Sequence, residues 1–378
     1  MYTLMIVPSD FPNGDAGAVR DMAFANIFKE LGYEVFLIGA GKNEKEGNYN
    51  GVYFYSVYME AHNQFDNLRR FIFSKTKYMS LIKKLFKRFG IPSVIYINDV
   101  SHSLIRNLRN LAINYNIPII HDSTEWYSPC EFVWGKFDKQ YILKNHLNLN
   151  VIRQPIRVIG ISSYLTEYFK EKGLKTARIP VIMDVSNTIS SINTDNKIKL
   201  IYAGSPGNKD YLKEIIIGIT LLPKERQRKL EMHILGVNEE QIKKIFELQK
   251  IPKCIKAYGR VSREKVEEVM LGMDFSVLLR PSEERYAKAG FPTKAVEAMN
   301  HGVAMICNIS SDLGMYLKDE DNSIIVKDCT AEEFSRTITK VLSLSRNKID
   351  TIKKNARKTA VENFDYRLWK DTVKNLLN

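Results

Sequence analysis

The chain has 378 residues, 44% hydrophobic and 26% charged, with a formal net charge of +13. This composition excludes a disordered or collagen-like chain and leaves room for two domains, each with its own core. No apolar run is long enough for a transmembrane helix, no basic signal-peptide region is recognised, and the four scattered cysteines and six histidines show no metal-ligand or disulfide spacing. We therefore expect a cytoplasmic protein without a bound metal.

The first half alternates predicted strands and helices. A strand over 3–7, a helix over 19–31 and a strand over 34–39 form a β-α-β unit, which favours a parallel sheet. Further strands are predicted over 93–99, 117–123, 157–162 and 176–182. Residues 1–184 are thus predicted to form a Rossmann-like domain.

A second alternating series follows a polar stretch at 185–197, which we interpret as a linker. Its predicted strands cover 198–204, 230–236, 255–259, 275–280 and 303–308. Residues 198–364 then form a second Rossmann-like domain, and the helical region 365–378 is predicted to pack back on the first. The predicted fold class is α/β, with two doubly wound domains facing each other across a cleft.

Three glycine-bearing loops lead from a predicted strand into a helix. They are NGDAGAVR (13–20), YAGSPGNKDYL (202–212) and AGFPTKAVEAMNHG (289–302). In the third loop Gly290 is free to take a positive φ, and Thr293 is the predicted N-cap of a helix that contains Glu297. Free N–H groups and the helix dipole make such junctions anion sites. Neither a GxGxxG nor a P-loop pattern is present, so neither a dinucleotide nor NTP hydrolysis is predicted.

These motifs resemble those of the GT-B glycosyltransferases. Within that fold the chain is similar to the retaining, nucleotide-sugar-dependent family 4, in particular to bacterial members that build capsule, O-antigen or other surface polysaccharides. The resemblance spans essentially the whole chain, and GFPTKAVEAMNHG (290–302) is its most specific motif. It implies a nucleotide-sugar donor bound by the second domain and an acceptor bound by the first.

The resemblance implies a role for each part of the donor site. The donor diphosphate would lie at the start of the helix that contains Glu297, whose carboxylate would accept hydrogen bonds from the ribose. Lys209 would offset the charge on the leaving nucleoside diphosphate. The donor-binding residues implied are Gly17, Gly204, Ser205, Lys209, Arg260, Val261, Arg280, Gly290, Phe291, Thr293, Lys294 and Glu297. No cofactor is expected besides the UDP- or GDP-linked sugar itself, which is a co-substrate.

The segment HDSTEWYSP (121–129) resembles the part of the family that often supplies a histidine near the acceptor. His121 is therefore a catalytic candidate together with Lys209. The acceptor-side candidates are Arg20, Asp122, Glu125 and Trp126. Asp122 and Glu125 could equally be helix caps or ion-pair partners. His121 could equally be a structural residue at the end of a strand.

Two positions depart from the family pattern. Ala289 stands where a glutamate usually contacts the donor sugar, and Ser205 stands where an arginine is common. Lys288, Tyr286 or loop amides are left to contact the sugar, and Arg280 or Arg260 to replace the arginine. The motif DED at 319–321 is interpreted as a solvated loop and not as a metal site.

The positive charge is concentrated in residues 69–88, inside a stretch without acidic residues. A basic helix with interleaved aromatic residues is typical of a segment facing an anionic membrane, and the alternative is a surface helix with one face on a core. Nucleic acid is not a predicted partner, because no binding motif accompanies the charge.

The sequence thus predicts an enzyme that transfers a sugar to a hydroxyl of a glycan, or of a lipid-linked glycan, with retention and without metal. It is expected to be peripheral on the inner face of the cell membrane. A sugar-nucleotide 2-epimerase of the same fold and a non-catalytic nucleotide-sugar-binding protein remain alternatives.

Overall fold

The computed structural model describes residues 1–12, 16–42, 45–58, 64–185, 197–205, 207 and 209–378, with side chains left out at 16 and 64–75. The chain forms two compact units. Unit 1 contains Met1–Trp126, Lys139–Asp184 and Asp365–Asn378, and unit 2 contains Tyr127–Asp138 and Val185–Phe364. Residues 127–138, which the sequence analysis assigned to the first domain, therefore belong to unit 2. The predicted linker lies almost wholly outside the described residues.

Unit 1 is built on an eight-stranded sheet. Its strands are β1 Tyr2–Ile6, β2 Glu34–Gly39, β3 Glu46–Tyr49, β4 Val52–Ser56, β5 Val94–Ile97, β6 Ile119–Ser123, β7 Arg157–Gly160 and β8 Thr176–Arg178. Their order is β3-β4-β2-β1-β5-β6-β7-β8, and every pair except β3–β4 is parallel. Strands β1 and β5 are buried along their whole length, as expected for a parallel sheet covered on both faces.

Unit 2 is built on a six-stranded parallel sheet. Its strands are β9 Ile198–Ala203, β10 Leu230–Leu235, β11 Ile255–Ala257, β12 Phe275–Leu278, β13 Ala304–Cys307 and β14 Ser323–Ile325. The order is β11-β10-β9-β12-β13-β14. The direction of winding therefore changes between β9 and β12, and such a switch point is where ligands bind in open α/β sheets.

Helices connect these strands in both units. They are α1 Ala16–Glu30, α2 Gln64–Phe89, α3 His102–Tyr115, α4 Lys139–His146, α5 Ser163–Glu171, α6 Leu212–Thr220, α7 Lys224–Gln227, α8 Glu239–Phe246, α9 Arg263–Leu271, α10 Arg285–Ala289, α11 Thr293–Asn300, α12 Ala331–Val341, α13 Arg346–Asn363 and α14 Lys370–Leu377. Helix α14 belongs to unit 1, where Val373 and Leu376 join its hydrophobic core. None of the helices in the described ranges is long and apolar enough to cross a bilayer.

The predicted α/β class with parallel-dominated sheets is confirmed, and the main omission is a hairpin. Strands β3 and β4 pair in antiparallel fashion with Tyr49 opposite Val52, so Asn50 and Gly51 alone form the turn. Both have positive φ, 49° and 78°. An Asn-Gly pair is the strongest short-range hairpin signal, because both positions of this turn require positive φ. Helices α12 and α13 and strand β14 were not predicted either.

Helix α2 carries the basic segment. Of its described side chains, Tyr78, Ile82 and Leu85 are buried, whereas Lys83, Lys84 and three further basic residues are exposed (Lys77, Lys87 and Arg88). The spacing of the three buried residues is that of one helical face. That apolar face therefore packs on unit 1, and the helix presents charge to solvent. Residues 69–75 of the segment have no described side chains.

Candidate functional site

Asp210 is the centre of a charged cluster beyond the carboxyl ends of β9 and β12. Its side chain is 3% exposed, and it accepts hydrogen bonds from Lys294 Nζ (2.5 Å), Arg280 Nη2 (2.7 Å) and Tyr202 Oη (2.9 Å). Burial alone would raise the pKa of Asp210, but the two cations more than offset this and lower it. One ionised carboxylate thus holds two cations side by side.

Lys294 reaches this carboxylate across the backbone of Gly204. The glycine has a φ of +134°, and a Cβ there would lie 2.6 Å from Cε and 2.9 Å from Nζ of the lysine. Only glycine permits this approach without a shift. The lysine side chain remains 23% exposed. Burial lowers the pKa of Lys294, and Asp210 offsets only part of that effect.

Glu297 lies one turn further along α11. It is half-buried, and within the described part of the chain its carboxylate forms no hydrogen bond or ion pair. Burial raises its pKa, and the nearby charges of Arg263 and Lys294 act in the opposite direction. A half-buried carboxylate without a protein donor is a ready acceptor for the hydroxyl groups of a ligand.

The start of α11 differs from the prediction in two respects. The N-cap is Pro292, which makes no side-chain capping bond, and Thr293 is instead the first helical residue. Gly290 ends α10 with a φ of −81°, so it does not use the positive region. The reason is that the chain runs extended from α10 into α11. The first N–H groups of α11 are left without a side-chain cap.

The other residues predicted to bind the donor stand apart from the Asp210 cluster. Ser205 and Arg260 are exposed and Val261 is half-buried, and no described hydrogen bond or ion pair joins them to the cluster. Phe291 is 5% exposed, and its ring lies edge-on to Tyr316 and Phe364 at 5.8 and 5.9 Å between centroids. We therefore assign Phe291 a packing role.

Lys209 is held by the segment 127–138, which we name the inserted segment. Its Nζ lies 3.1 Å from Glu131 Oε1 and 5.1 Å from the centre of the Tyr127 ring. The Glu131 side chain is only 4% exposed, whereas that of Lys209 is 35% exposed. The cation that the sequence places at the donor phosphate is therefore paired with a carboxylate of the same unit.

Helix α10 forms hydrogen bonds both to the inserted segment and to Lys209. Arg285 Nε donates to the Tyr127 carbonyl (2.9 Å), and the Tyr286 N–H donates to Ser128 Oγ (3.2 Å). Tyr286 Oη donates to the Lys209 carbonyl (3.1 Å). Tyr286 is buried and Ala289 is completely buried, so α10 presents no carboxylate at position 289.

In unit 1, Arg20 and Asp122 pair with each other. Arg20 Nε and Nη2 donate to the two carboxylate oxygens at 2.7 and 2.8 Å, and Arg20 also donates to the carbonyls of Ile179 and Pro180. Tyr96 Oη donates to the same carboxylate at 2.9 Å. Both charged residues are buried. We therefore assign them to the stability of unit 1, although the sequence had placed them on the acceptor side.

His121 lies beside Asp122 at the end of β6 and is fully buried. Neither ring nitrogen has a hydrogen-bond partner among the described residues. Its Nε2 lies 3.9 Å from Asp99 Oδ1, and Asp99 in turn pairs with the buried Lys144. Burial, with a smaller contribution from Lys144, lowers the pKa of His121 to about 3. The imidazole is thus neutral at physiological pH.

The remaining residues that the sequence predicted in this unit, Trp126, Glu125 and Gly17, differ in burial and in contacts. Trp126 is 5% exposed, donates from Nε1 to Asn145 Oδ1 (2.7 Å) and packs on Tyr168, which favours a structural role. Glu125 is half-buried. Gly17 lies half-buried in the first turn of α1, but residues 13–15 of its loop, including Gly14, lie outside the described residues.

Sequence reasoning missed Asp210 and Glu131. Asp210 follows Lys209 directly, and an acidic residue just before a helix is normally read as a helix-terminal charge. Glu131 completes a Ser-x-x-Glu pattern with Ser128, whose N–H donates to Oε2 at 2.7 Å, and this pattern is typical of a cap. No local pattern indicates that Glu131 faces a lysine 78 positions away.

Residues 185–359 match the family model described as "Glycosyl transferases group 1". The matched residues lie within unit 2, which is thus similar to a glycosyltransferase domain. The match confirms, at the level of this domain, the enzyme class that the sequence predicted. A relative, the uncharacterized glycosyltransferase MJ1069 of Methanocaldococcus jannaschii, is 26% identical over an alignment of 230 residues. This alignment covers 57% of this chain and 56% of the relative. The matched stretch therefore spans about half the length of that curated relative.

Solved structures share the fold of this chain over its whole length. Sucrose-phosphate synthase of Thermosynechococcus elongatus has a TM-score of 0.76 at 12% identity, covering 100% of this chain and 98% of that one. Anabaena HepE in complex with UDP and glucose has a TM-score of 0.69 at 14% identity, with 100% and 99% covered. WaaG, involved in lipopolysaccharide biosynthesis, has a TM-score of 0.69 at 13% identity, with 100% and 99% covered. These likenesses confirm the predicted GT-B fold.

Proposed function

We propose that the protein transfers a sugar from a nucleotide-sugar donor to a hydroxyl group of a glycan. The observation that carries this proposal is the grouping of Lys294 and Arg280 around Asp210, next to the uncapped start of α11 and the unpartnered Glu297. Positive charge for a diphosphate and an acceptor for ribose hydroxyls thus lie on one unit. The UDP and glucose bound by HepE, which shares the fold, support a sugar nucleotide as the ligand.

In this proposal the donor diphosphate lies at the start of α11, where it meets free N–H groups and the cations Lys294 and Arg280. Lys209 leaves Glu131 to bind the phosphate. The bond between the anomeric carbon and the phosphate oxygen breaks, and the acceptor oxygen bonds to the same carbon with retention. The proton of the acceptor hydroxyl passes to the departing diphosphate. Because three cations offset the charge that develops there, we propose that no metal is required.

We retain His121 as the acceptor-side group of the proposal. Its ring is neutral, and both nitrogens lack a hydrogen-bond partner in the described part of unit 1. A neutral imidazole can accept a hydrogen bond from a hydroxyl group and donate one to another oxygen. A ligand hydroxyl or a water molecule at this position would satisfy the two atoms. The same burial is compatible with a purely structural residue, and the predictions below separate the two roles.

We propose a glycan on a lipid carrier as the acceptor, reached at the inner face of the cell membrane. The exposed lysines of α2 support this, since each basic residue close to an anionic leaflet contributes about 1 kcal/mol. The apolar face of α2 packs on unit 1, so this docking would be electrostatic. Replacing Lys83, Lys84, Lys87 and Arg88 by glutamine should then weaken binding to phosphatidylglycerol vesicles at low salt and leave nucleotide affinity unchanged.

The donor is tested by thermal shift with UDP, GDP, CDP and ADP and their sugar derivatives. A true donor product at a hundredfold excess over its dissociation constant stabilises the protein by about 2.7 kcal/mol. Consumption of the sugar nucleotide is then followed with and without a glycan acceptor, in the presence of EDTA. Turnover that needs the acceptor supports transfer, turnover without it indicates an epimerase, and tight binding without either indicates a binding protein. Loss of turnover in EDTA contradicts the metal-free proposal.

A further inference from the structure

The inserted segment ends in a group of large apolar side chains that face solvent. Val133 is 96% exposed, Trp134 74% and Phe137 86%, and we name these three residues the apolar tip. They fall within five consecutive positions, and Lys136 between them is also exposed. Single exposed apolar residues are normal on a protein surface, whereas a contiguous group of this size marks an interaction site.

The backbone of the apolar tip is ordered by hydrogen bonds between neighbouring residues. The Gly135 N–H donates to the Phe132 carbonyl (3.1 Å). The Phe137 and Asp138 N–H groups donate to the carbonyls three residues before them, those of Trp134 (3.0 Å) and Gly135 (3.2 Å). At its base, the Phe132 ring packs edge-on against Tyr127 at 5.3 Å. The apolar side chains are therefore held outward with these backbone donors already satisfied, as entry into an apolar medium requires.

We propose that the apolar tip inserts into the interfacial region of an anionic lipid bilayer. A tryptophan and a phenylalanine beside a lysine are the residues that this region favours, since their rings enter the boundary while the cation stays with the headgroups. The net charge of +13 supplies the complementary sign. This contact is distinct from the basic face of α2, which exposes charge but packs its apolar face, and it does not depend on the proposed donor site.

A protein partner and a glycan fit the apolar tip less well than a lipid surface does. Each of the three side chains can bury at most roughly 150–250 Å². Their total is less than the about 800 Å² that each partner buries in a stable protein interface. A glycan would need several placed polar groups for its hydroxyls, and between Phe132 and Phe137 the only polar side chain is that of Lys136. A lipid surface needs neither a large area nor directional polar groups.

The experiment uses the intrinsic fluorescence of the full chain. Its three tryptophans are Trp126, which is buried, Trp369, which is half-buried, and Trp134. With vesicles of phosphatidylglycerol and phosphatidylcholine, we expect a blue shift and quenching by brominated acyl chains. The Trp134→Phe variant should still sediment with the vesicles but lose most of this signal, which assigns the inserted side chain.

A triple variant, Val133→Ser with Trp134→Ser and Phe137→Ser, should weaken vesicle binding by about tenfold or more, because its exposed apolar surface is lost. The effect should persist in 1 M salt, where the Debye length of about 3 Å suppresses the contribution of α2. The matched control, Leu221→Ser with Ile245→Ser, removes apolar side chains of unit 2 that are 52% and 54% exposed and should bind like the wild type.

Circular dichroism and the melting temperature of the triple variant should equal those of the wild type, because the three side chains are exposed. Unchanged vesicle binding of a folded triple variant overturns the proposal. So does a Trp134 signal that responds to soluble oligosaccharide and not to vesicles, or a concentration-dependent mass in sedimentation that the triple substitution abolishes. Nucleotide affinity should be the same in all variants, so a failure here is distinguishable from a failure of the proposed transfer.

Discussion

Two buried aspartates invite comparison, because each binds an arginine and a tyrosine hydroxyl near the carboxyl end of a parallel sheet. In unit 1, Asp122 binds Arg20 and Tyr96, and the arginine and aspartate side chains are 5% and 0% exposed. In unit 2, Asp210 binds Arg280 and Tyr202 and also Lys294, and the two cations are 13% and 23% exposed. The first group balances its charge inside the core. The second has one cation in excess, and that excess reaches solvent.

The difference separates a structural use of buried charge from the proposed ligand site. The enclosed pair of Arg20 and Asp122 has no net charge with which to attract a ligand, so its role is in the stability of unit 1. A partly exposed group with surplus positive charge attracts an anion and is already desolvated and oriented for it. The same residue types therefore have different roles in the two units. The four predictions below test this contrast, and the largest expected effect comes first.

Asp122→Asn should lower the free energy of unfolding by about 3–5 kcal/mol, because Arg20 would be left as an unpaired buried charge. Urea denaturation measures this loss. Nucleotide affinity of the folded protein should be unchanged, as measured by calorimetry. A variant with normal stability and reduced glycan turnover would instead place Asp122 in the acceptor site, as the sequence had suggested.

Glu297→Gln should reduce affinity for the donor by about one to two decades, since a hydrogen bond to a charged group contributes roughly 1.5–3 kcal/mol. Because Glu297 has no protein partner, the melting temperature should barely change. The matched control is Glu239→Gln, which removes an exposed carboxylate of the same unit that pairs with Lys243. Equal donor affinity in the two variants would remove Glu297 from the proposed site.

His121 should make unit 1 sensitive to acid. Its folded-state pKa of about 3 lies below its ordinary value of 6.5, so between these pH values the unfolded chain binds more protons. The stability contributed by the neutral ring is complete above pH 6.5 and is lost as pH falls towards 3. Between pH 7 and pH 5 the loss is about 1–2 kcal/mol relative to His121→Gln, which lacks this titration.

Denaturation of both proteins across that range measures the difference, and parallel curves would contradict the low pKa. Turnover at pH 7.5 then separates the two roles of His121. If the ring serves the acceptor, His121→Gln loses turnover while nucleotide affinity is kept. If the ring is structural, turnover per folded molecule stays near the wild-type value.

Glu131→Gln should have the smallest effect, a rise in nucleoside-diphosphate affinity of up to about fivefold. The Glu131 carboxylate competes with the diphosphate for Lys209, and a pair with one partly exposed member contributes about 0.2–1 kcal/mol. Affinity for the unphosphorylated nucleoside should not change, which is the internal control. A fall in diphosphate affinity would show that Glu131 orients Lys209 and does not compete for it.

The local sequence was enough to predict the class of fold and the position of the glycine-bearing loops. Alternating apolar runs and helical segments placed strands such as β2 and β9 within a residue of their observed ends. The motif at 290–302 indicated Lys294 and Glu297, because glycine, proline and helix-forming residues in that order specify a local backbone. The turn at Asn50-Gly51 also has a local signal, because both residues adopt the positive φ that this turn requires.

Tertiary structure alone decided how the charges are used. Whether Asp122 or Glu131 serves the fold or a ligand depends on partners far along the chain, Arg20 at 102 positions and Lys209 at 78. It also decided that the apolar residues of α2 pack while those of the apolar tip face solvent, although both sequences mix aromatic residues with lysine. The physical reason is that backbone conformation follows from neighbouring residues, whereas burial, and with it the pKa and the pairing of a charge, is set by whatever the fold brings against it.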